Sequence, residues 1–399
     1  MNTPTPVDLF DLNADALRCP QLVLDAIRDE SPAKWFDEVG AYVVTAFAGV
    51  MEVLRQPELF STRYAGGRST RSATTPVLLT ADPPQHTRQR ALVSRAFTPG
   101  QVKKLEGYIG ELAENLIDDF IGDGKLEAIT QFAVPLPMTV IARFLGVPSA
   151  DLQMFKRWST DVVVFVGNRN PSPEQMADFA KSSDEFNEYF RSIIAERRGM
   201  EGDDLVSKVV NTEIDGDSLS EAEMLTMLRQ LLAAGNDTTT NLIGSCLLLL
   251  AQDPDMYHRI RSEEGFIKSF IEEVLRLESP IQGLHRTAMA DTAICGVPIP
   301  EGSQVLLMYG GANRDPHEFN DPGDCRPDRQ SPHGHLAFGH GVHHCIGAPL
   351  ARAEARIALE CFARRVETLA LAPDADVVYE PSFLLRGLER LHLTFAPAA

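Results

Sequence analysis

Paired cysteines are missing from this sequence. Its 399 residues include six, at Cys19, Cys246, Cys295, Cys325, Cys345 and Cys361, scattered without any CxxC spacing. That argues against a disulfide framework and fits the reduced thiols of a cytoplasmic protein. Long hydrophobic runs are missing too. The longest, Cys246-Leu247-Leu248-Leu249-Leu250-Ala251, falls far short of the roughly 20 apolar residues a membrane span needs, so no membrane anchor is expected. The opening Met1-Asn2-Thr3-Pro4-Thr5-Pro6 has neither the basic flank nor the apolar core of a signal peptide. Positive charge is scarce: the net charge is −19, which argues against nucleic acid and anionic membranes as general partners. No glycine-rich nicotinamide or flavin fingerprint appears. What remains, 44% hydrophobic and 23% charged, is an ordinary globular composition with ample core.

The stretch that carries chemistry is Phe338-Gly339-His340-Gly341-Val342-His343-His344-Cys345-Ile346-Gly347. It reads as a loop presenting one cysteine. The run Ala348-Pro349-Leu350-Ala351-Arg352-Ala353-Glu354 after it is strongly helical, with Pro349 in the first turn, where a missing N–H costs little. Cys345 therefore precedes a helix N-terminus, whose N–H groups and dipole favour a thiolate. Such a thiolate is a good ligand for a soft or borderline metal. Spacing alone leaves three readings open. Cys345 could be a small core residue, a nucleophile, or a zinc ligand among His333, His335, His340, His343 and His344, although zinc sites usually show a second ligand pair.

The motif Phe338-x-x-Gly341-x-x-x-Cys345-x-Gly347 resembles the haem-binding signature of the cytochrome P450 family, the haem-thiolate monooxygenases. Other pieces match in the family's order across most of the chain. Length alone suggests two or three domains. The resemblance implies instead one catalytic unit over residues 1–399, mainly α with small β-sheets, with haem b between a long central helix and the helix after the cysteine loop. It implies Cys345 as the iron ligand, with Phe338 and Gly347 of the same signature as haem-binding residues.

Residues 83–105 contain no acid but carry Arg88, Arg90, Arg95, Lys103 and Lys104. His86 and Arg90, four apart, share a helical face. Such a pair is commonly surface, but the resemblance implies that His86, Arg90, Arg286 and His343 bind the haem propionates, and paired cations suit two carboxylates.

Ser220 and Glu223 form a capping box that opens a helix running to about Gln252. Its middle, Ala233-Ala234-Gly235-Asn236-Asp237-Thr238-Thr239-Thr240, is a poor choice for a helix centre. Threonine back-bonding and Gly235 predict a local distortion. The same residues would equally serve close helix packing. The resemblance reads Ala234-Gly235-x-Asp237-Thr238 as the oxygen-activation motif: Ala234 lies at the haem and leaves room for O2, Thr238 donates a hydrogen bond to it, and Asp237 relays protons.

Glu273-x-x-Arg276 is a weak pattern alone. The resemblance makes it a buried structural pair joined by a third arginine, for which Arg329 is the candidate, although Cys325 stands where the family usually has Phe. Ile281 to Leu284, Phe165, Val166 and the turn from Phe383 to Leu388 are expected around the substrate. Arg63, Arg68 and Arg71 could meet an anionic one. Residues 296–307 read as a hairpin, and Ala312-Asn313-Arg314-Asp315-Pro316 matches the family as well.

The implied activity is insertion of one oxygen atom of O2 into a C–H bond of a small to medium apolar substrate. Electrons would come from an iron–sulfur ferredoxin and its reductase, docking on the acid-free stretch with Arg352 and Arg356 beside it. A monomer is expected. Two other classes remain: a peroxide-driven or gas-binding haem protein, against which the Asp237-Thr238 pair argues, and a zinc or cysteine hydrolase.

Overall fold

The computed structural model describes residues 4–63, 75–167, 172–329 and 334–398. Arg68, Arg71 and His333, and the side chains of Phe165 and Val166, lie outside what is described. The architecture is mainly α with small sheets, as the sequence implied.

The longest described helix is Glu221–Gln252. Its start follows from the capping box. Ser220 Oγ accepts from the Glu223 N–H at 3.3 Å, and Glu223 Oε2 accepts from the Ser220 N–H at 2.9 Å. Its second half, from Thr239 through Leu248, is buried on every side, the pattern of a helix inside a large core. Small residues let neighbours in close: a Cβ on Gly244 would stand 2.9 Å from Ile129 Cδ1, and one on Gly235 3.4 Å from Ile141 Cδ1. The expected distortion around Thr238 does not break the helix, although Thr238 Oγ1 does donate back to the Ala234 carbonyl at 2.7 Å.

Helix Ala348–Arg365 follows the cysteine loop and packs on helix Pro99–Asp118. Ion pairs line their seam: Arg356 to Glu106 at 2.6 Å, and Arg365 to Glu114 and Asp118, each at 2.6 Å. Helix Phe266–Glu278 is buried from Phe270 to Glu278 and touches both this helix and the long one.

A five-stranded sheet runs in the order Lys34–Phe36, Ala41–Val44, Gln304–Met308, Gly283–Ala288, Phe60–Ser61. The expected hairpin over residues 296–307 forms differently. Val297–Ile299 pairs with Thr292–Ile294 across a tight turn at Cys295 and Gly296, with φ of 46° and 82°, a left-handed pair suited to two-residue hairpins. Gln304–Met308 pairs instead with Gly283–Ala288 and, in parallel, with Ala41–Val44. The hairpin therefore lies one strand earlier than expected.

Candidate active site

The cysteine loop is shaped by its backbone. The Cys345 N–H donates to the Phe338 carbonyl at 2.9 Å and closes the loop. Gly339 and Gly341 have φ of 67° and 69°, which a Cβ would strain. A Cβ on Gly341 would also lie 3.0 Å from the Leu54 carbonyl oxygen. Gly347 caps the following helix, and Pro349 sits in its first turn. Cys345 is exposed, yet the surrounding protein desolvates its thiol and raises its pKa. The N–H groups of Gly347 and Ala348 and the charges of Arg90 and Arg352 pull it back. A coordinated metal ion deprotonates a thiol outright.

A buried carboxylate clamps this loop from behind. Arg352 donates twice to Glu272, at 2.7 and 2.8 Å. Its guanidinium also covers the Phe338 ring at 4.4 Å, a cation–π contact. His335 Nε2 approaches Glu272 Oε2 at 3.1 Å. Burial pushes the Glu272 carboxyl up, but Arg352 and His335 outweigh it and hold it at about 2. The adjacent Glu273 points elsewhere, about 100° around the helix. It accepts Arg276 Nε and Nη2 at 2.9 Å each and Arg329 Nε at 3.0 and 3.1 Å. The structure thus brings together the expected triad of Glu273, Arg276 and Arg329. Glu272 escaped the sequence reading. The signal for it was a second acid directly beside Glu273 in the mostly apolar run 270–277.

Two histidines from distant segments meet beside the loop. His86, on helix Gln85–Ser94, and His343 have ring centroids 4.2 Å apart. His86 is 2% exposed. The buried atoms His86 Nδ1 and His343 Nε2 have no hydrogen-bond partner among the described residues, which normally costs free energy. Desolvation and the charge of Arg90 lower the His86 pKa. His343 falls to about 3 through desolvation, then Arg286 and His86. Arg286 is buried, its Nη1 donating to the His285 carbonyl at 2.7 Å. Neither Arg286 nor Arg90 forms an ion pair with a carboxylate among the described residues. Buried, orphaned imidazole nitrogens beside uncompensated guanidinium groups form a donor set waiting for carboxylates.

On the long helix, Ala234 is exposed and Thr238 half-buried. Asp237 is desolvated and feels the charge of Glu380. Both effects push its carboxyl up to about 7, against a 2.9 Å hydrogen bond donated by Asn236 Nδ2 to Oδ1.

The family description Cytochrome P450 matches residues 149–376. The chain is similar to Cytochrome P450 109 of Bacillus spizizenii, 37% identical over 377 residues that cover 93% of this chain and 91% of the other. The chain belongs to the cytochrome P450 family. Among solved structures, CYP109Q5 from Chondromyces apiculatus superimposes with a TM-score of 0.89 at 35% identity, covering 97% of this chain and 98% of that one. CYP109E1 from Bacillus megaterium in complex with corticosterone gives 0.87 at 34% identity, covering 95% and 99%. P450 proteins bind haem b and are oxidoreductases. The residues here fit that group: a cysteine at a helix N-terminus suits its iron, and the orphaned His86 and His343 atoms with Arg90 and Arg286 suit its two propionates.

Other expectations fare differently. Ile281 bridges to Leu385, and the Gln282 N–H donates to the Leu384 carbonyl at 2.7 Å, so the two expected pocket segments do meet. Phe383, however, packs edge-on to Phe10 at 5.4 Å in the N-terminal core. Arg386 is buried against Glu278 at 2.6 Å. Those two side chains serve the scaffold. The acid-free stretch is acid-free only in sequence. Arg88 binds Asp217 at 2.6 Å and Glu223 at 2.8 Å, and Lys104 binds Asp203 at 2.8 Å. Arg352 and Arg356 are likewise committed to glutamates. Arg95 and Lys103 are exposed and have no ion pair among the described residues. Arg63 is exposed.

Proposed function

We propose that this chain, as one catalytic unit, hydroxylates an apolar substrate of up to about steroid size, with Cys345 as the thiolate that would hold the haem iron and an external iron–sulfur protein as electron donor. The carrying observation is the meeting of His86 and His343, with orphaned buried nitrogens, beside uncompensated Arg90 and Arg286 at the loop that presents Cys345. The steroid scale is supported by the corticosterone held in the similar CYP109E1 structure.

Haem, when bound, supplies the activation of O2, which no side chain here can perform. The chain's residues bind and orient it and manage protons. His86 Nδ1 and His343 Nε2 would donate to propionate oxygens, and Arg90 and Arg286 would neutralise them. Cys345 Sγ would ligate the iron as a thiolate and donate electron density to it. Phe338 and Gly347 set the loop around it, and the small side chain of Ala234 would leave room for O2. Asn236 donates to Asp237 Oδ1, so the Asp237 proton resides on Oδ2. Thr238 Oγ1 already donates to the Ala234 carbonyl. Its oxygen is therefore an acceptor that orders a protonated group in the site.

The test is the absorption spectrum of the reduced carbon monoxide complex. Wild type should show the strongly red-shifted band of a thiolate ligand. Cys345→Ser should lose that band and all hydroxylation, while Cys325→Ser and Cys361→Ser keep both. A red-shifted band in Cys345→Ser would refute the ligand assignment. Binding spectra with corticosterone against fatty and aromatic acids test the substrate class.

A further inference from the structure

Asp237 can deliver only one proton before it must be recharged, and the structure offers a route. The C-terminal hairpin pairs Val378–Tyr379 with Leu388–Arg390. Just inside it, the Glu380 N–H donates to the Gly387 carbonyl at 3.0 Å. Gly387 rests directly on the long helix: a Cβ there would lie 2.3 Å from Asn241 Oδ1 and 2.8 Å from Nδ2. Asn241 is one turn beyond Asp237 on the same helix face. A residue paired with Gly387 is therefore held against the turn that carries Asp237. The seam is polar, and Asn241 Nδ2 is buried in it without a hydrogen-bond partner among the described residues.

The charges acting on Asp237 and on Glu380 are both carboxylates. Glu380 is the charge that acts on the Asp237 carboxyl. The helices packed on this part of the long helix present uncharged groups there, Ser159 Oγ to Asn236 at 3.4 Å and Ile141 to Gly235. Glu380 is half-buried, with Glu389 as the charge acting on it. Glu389 is exposed and 3.9 Å from Arg390. Neither Asp237 nor Glu380 forms an ion pair among the described residues. Neighbouring carboxyls without a cation hold protons jointly.

We propose that Glu380 carries protons from solvent to Asp237. One water bridges the two carboxyls: the Glu380 O–H bond breaks and its proton passes to that water, which gives one of its own protons to the Asp237 carboxylate, forming an O–H bond there. The Glu380 carboxylate left behind takes a proton from bulk water at the Glu389 end of the series. No electrons move. The idea rests on the reading of Asp237 as proton donor, and the test separates the two.

The Asp237 carboxyl is titrated by 13C NMR, assigned with Asp237→Asn, in wild type and Glu380→Gln. Turnover and its solvent deuterium isotope effect are measured on the same proteins and on Glu380→Asp. Glu380→Gln should move the Asp237 midpoint to lower pH, slow turnover by about tenfold and enlarge the isotope effect. Glu380→Asp should restore most of the rate. If Glu380→Gln turns over at the wild-type rate with an unchanged isotope effect while Asp237→Asn is slow, the relay is wrong and the donor reading stands. If Asp237→Asn is also unimpaired, the donor reading falls and the relay with it.

Discussion

Asp237 and Thr238 show why residue type alone does not define a role. An aspartate is ordinarily ionised at neutral pH, and only its surroundings make this one an acid. Its carboxyl, at about 7, is protonated below that pH and loses its proton as pH rises through it. Product formed per unit of reductant should therefore fall above about pH 7 in wild type. Asp237→Asn should be slow at every pH and lack that limb. Thr238→Ala should keep consuming reductant while product yield drops and peroxide appears, because the acceptor that orders the protonated group is gone. Yield per reductant against pH, with peroxide assayed alongside, checks all three, and an unchanged yield in Thr238→Ala would remove that residue from the mechanism. The sequence could name this pair because the motif is local. It could not give the raised pKa, because the burial that chiefly raises it exists only in the folded chain and Glu380, whose charge adds to it, stands 143 positions away.

At the scale of elements, legibility followed the same divide. The start of Glu221–Gln252 was readable from its capping box. The sequence did not show that Glu223 also binds Arg88 at 2.8 Å and Gln89 at 2.9 Å. Those bonds tie the long helix to the helix carrying His86 and Arg90. The triad at Glu273 came through resemblance, and its geometry explains its weight. Arg276 is 1% exposed, so removing Glu273 strands a buried guanidinium. Glu273→Ala should destabilise the protein by about 3–5 kcal/mol, measured by denaturant unfolding. Glu106→Ala, which removes a partly exposed pairing, should cost no more than about 1 kcal/mol. The hairpin misread at residues 296–307 had the opposite cause. Alternating apolar residues mark a strand but not its partner, and which strands pair depended on a left-handed turn at Cys295.

Over the whole molecule, charge must be counted after folding. Residues 83–105 stand out as a basic island in an acidic chain, yet acids from elsewhere neutralise Arg88 and Lys104. If an acidic iron–sulfur donor docks near the cysteine-loop helix, exposed Arg95 and Lys103 are left to steer it. Arg95→Glu and Lys103→Glu should each slow reduction several-fold at low salt, an effect that fades as ionic strength rises. Lys104→Glu should matter less. Stopped-flow reduction against salt decides it: a flat profile unaffected by either reversal would rule out this face.

Glu272 holds both sides of the cysteine loop, His335 before it and Arg352 after it, while the loop closes on its own backbone from Cys345 to Phe338. The conformational entropy of presenting the thiol is therefore lost when the polypeptide folds, not when the prosthetic group arrives. Affinity for the macrocycle can then reflect the contacts it makes, undiminished by the cost of ordering its ligand.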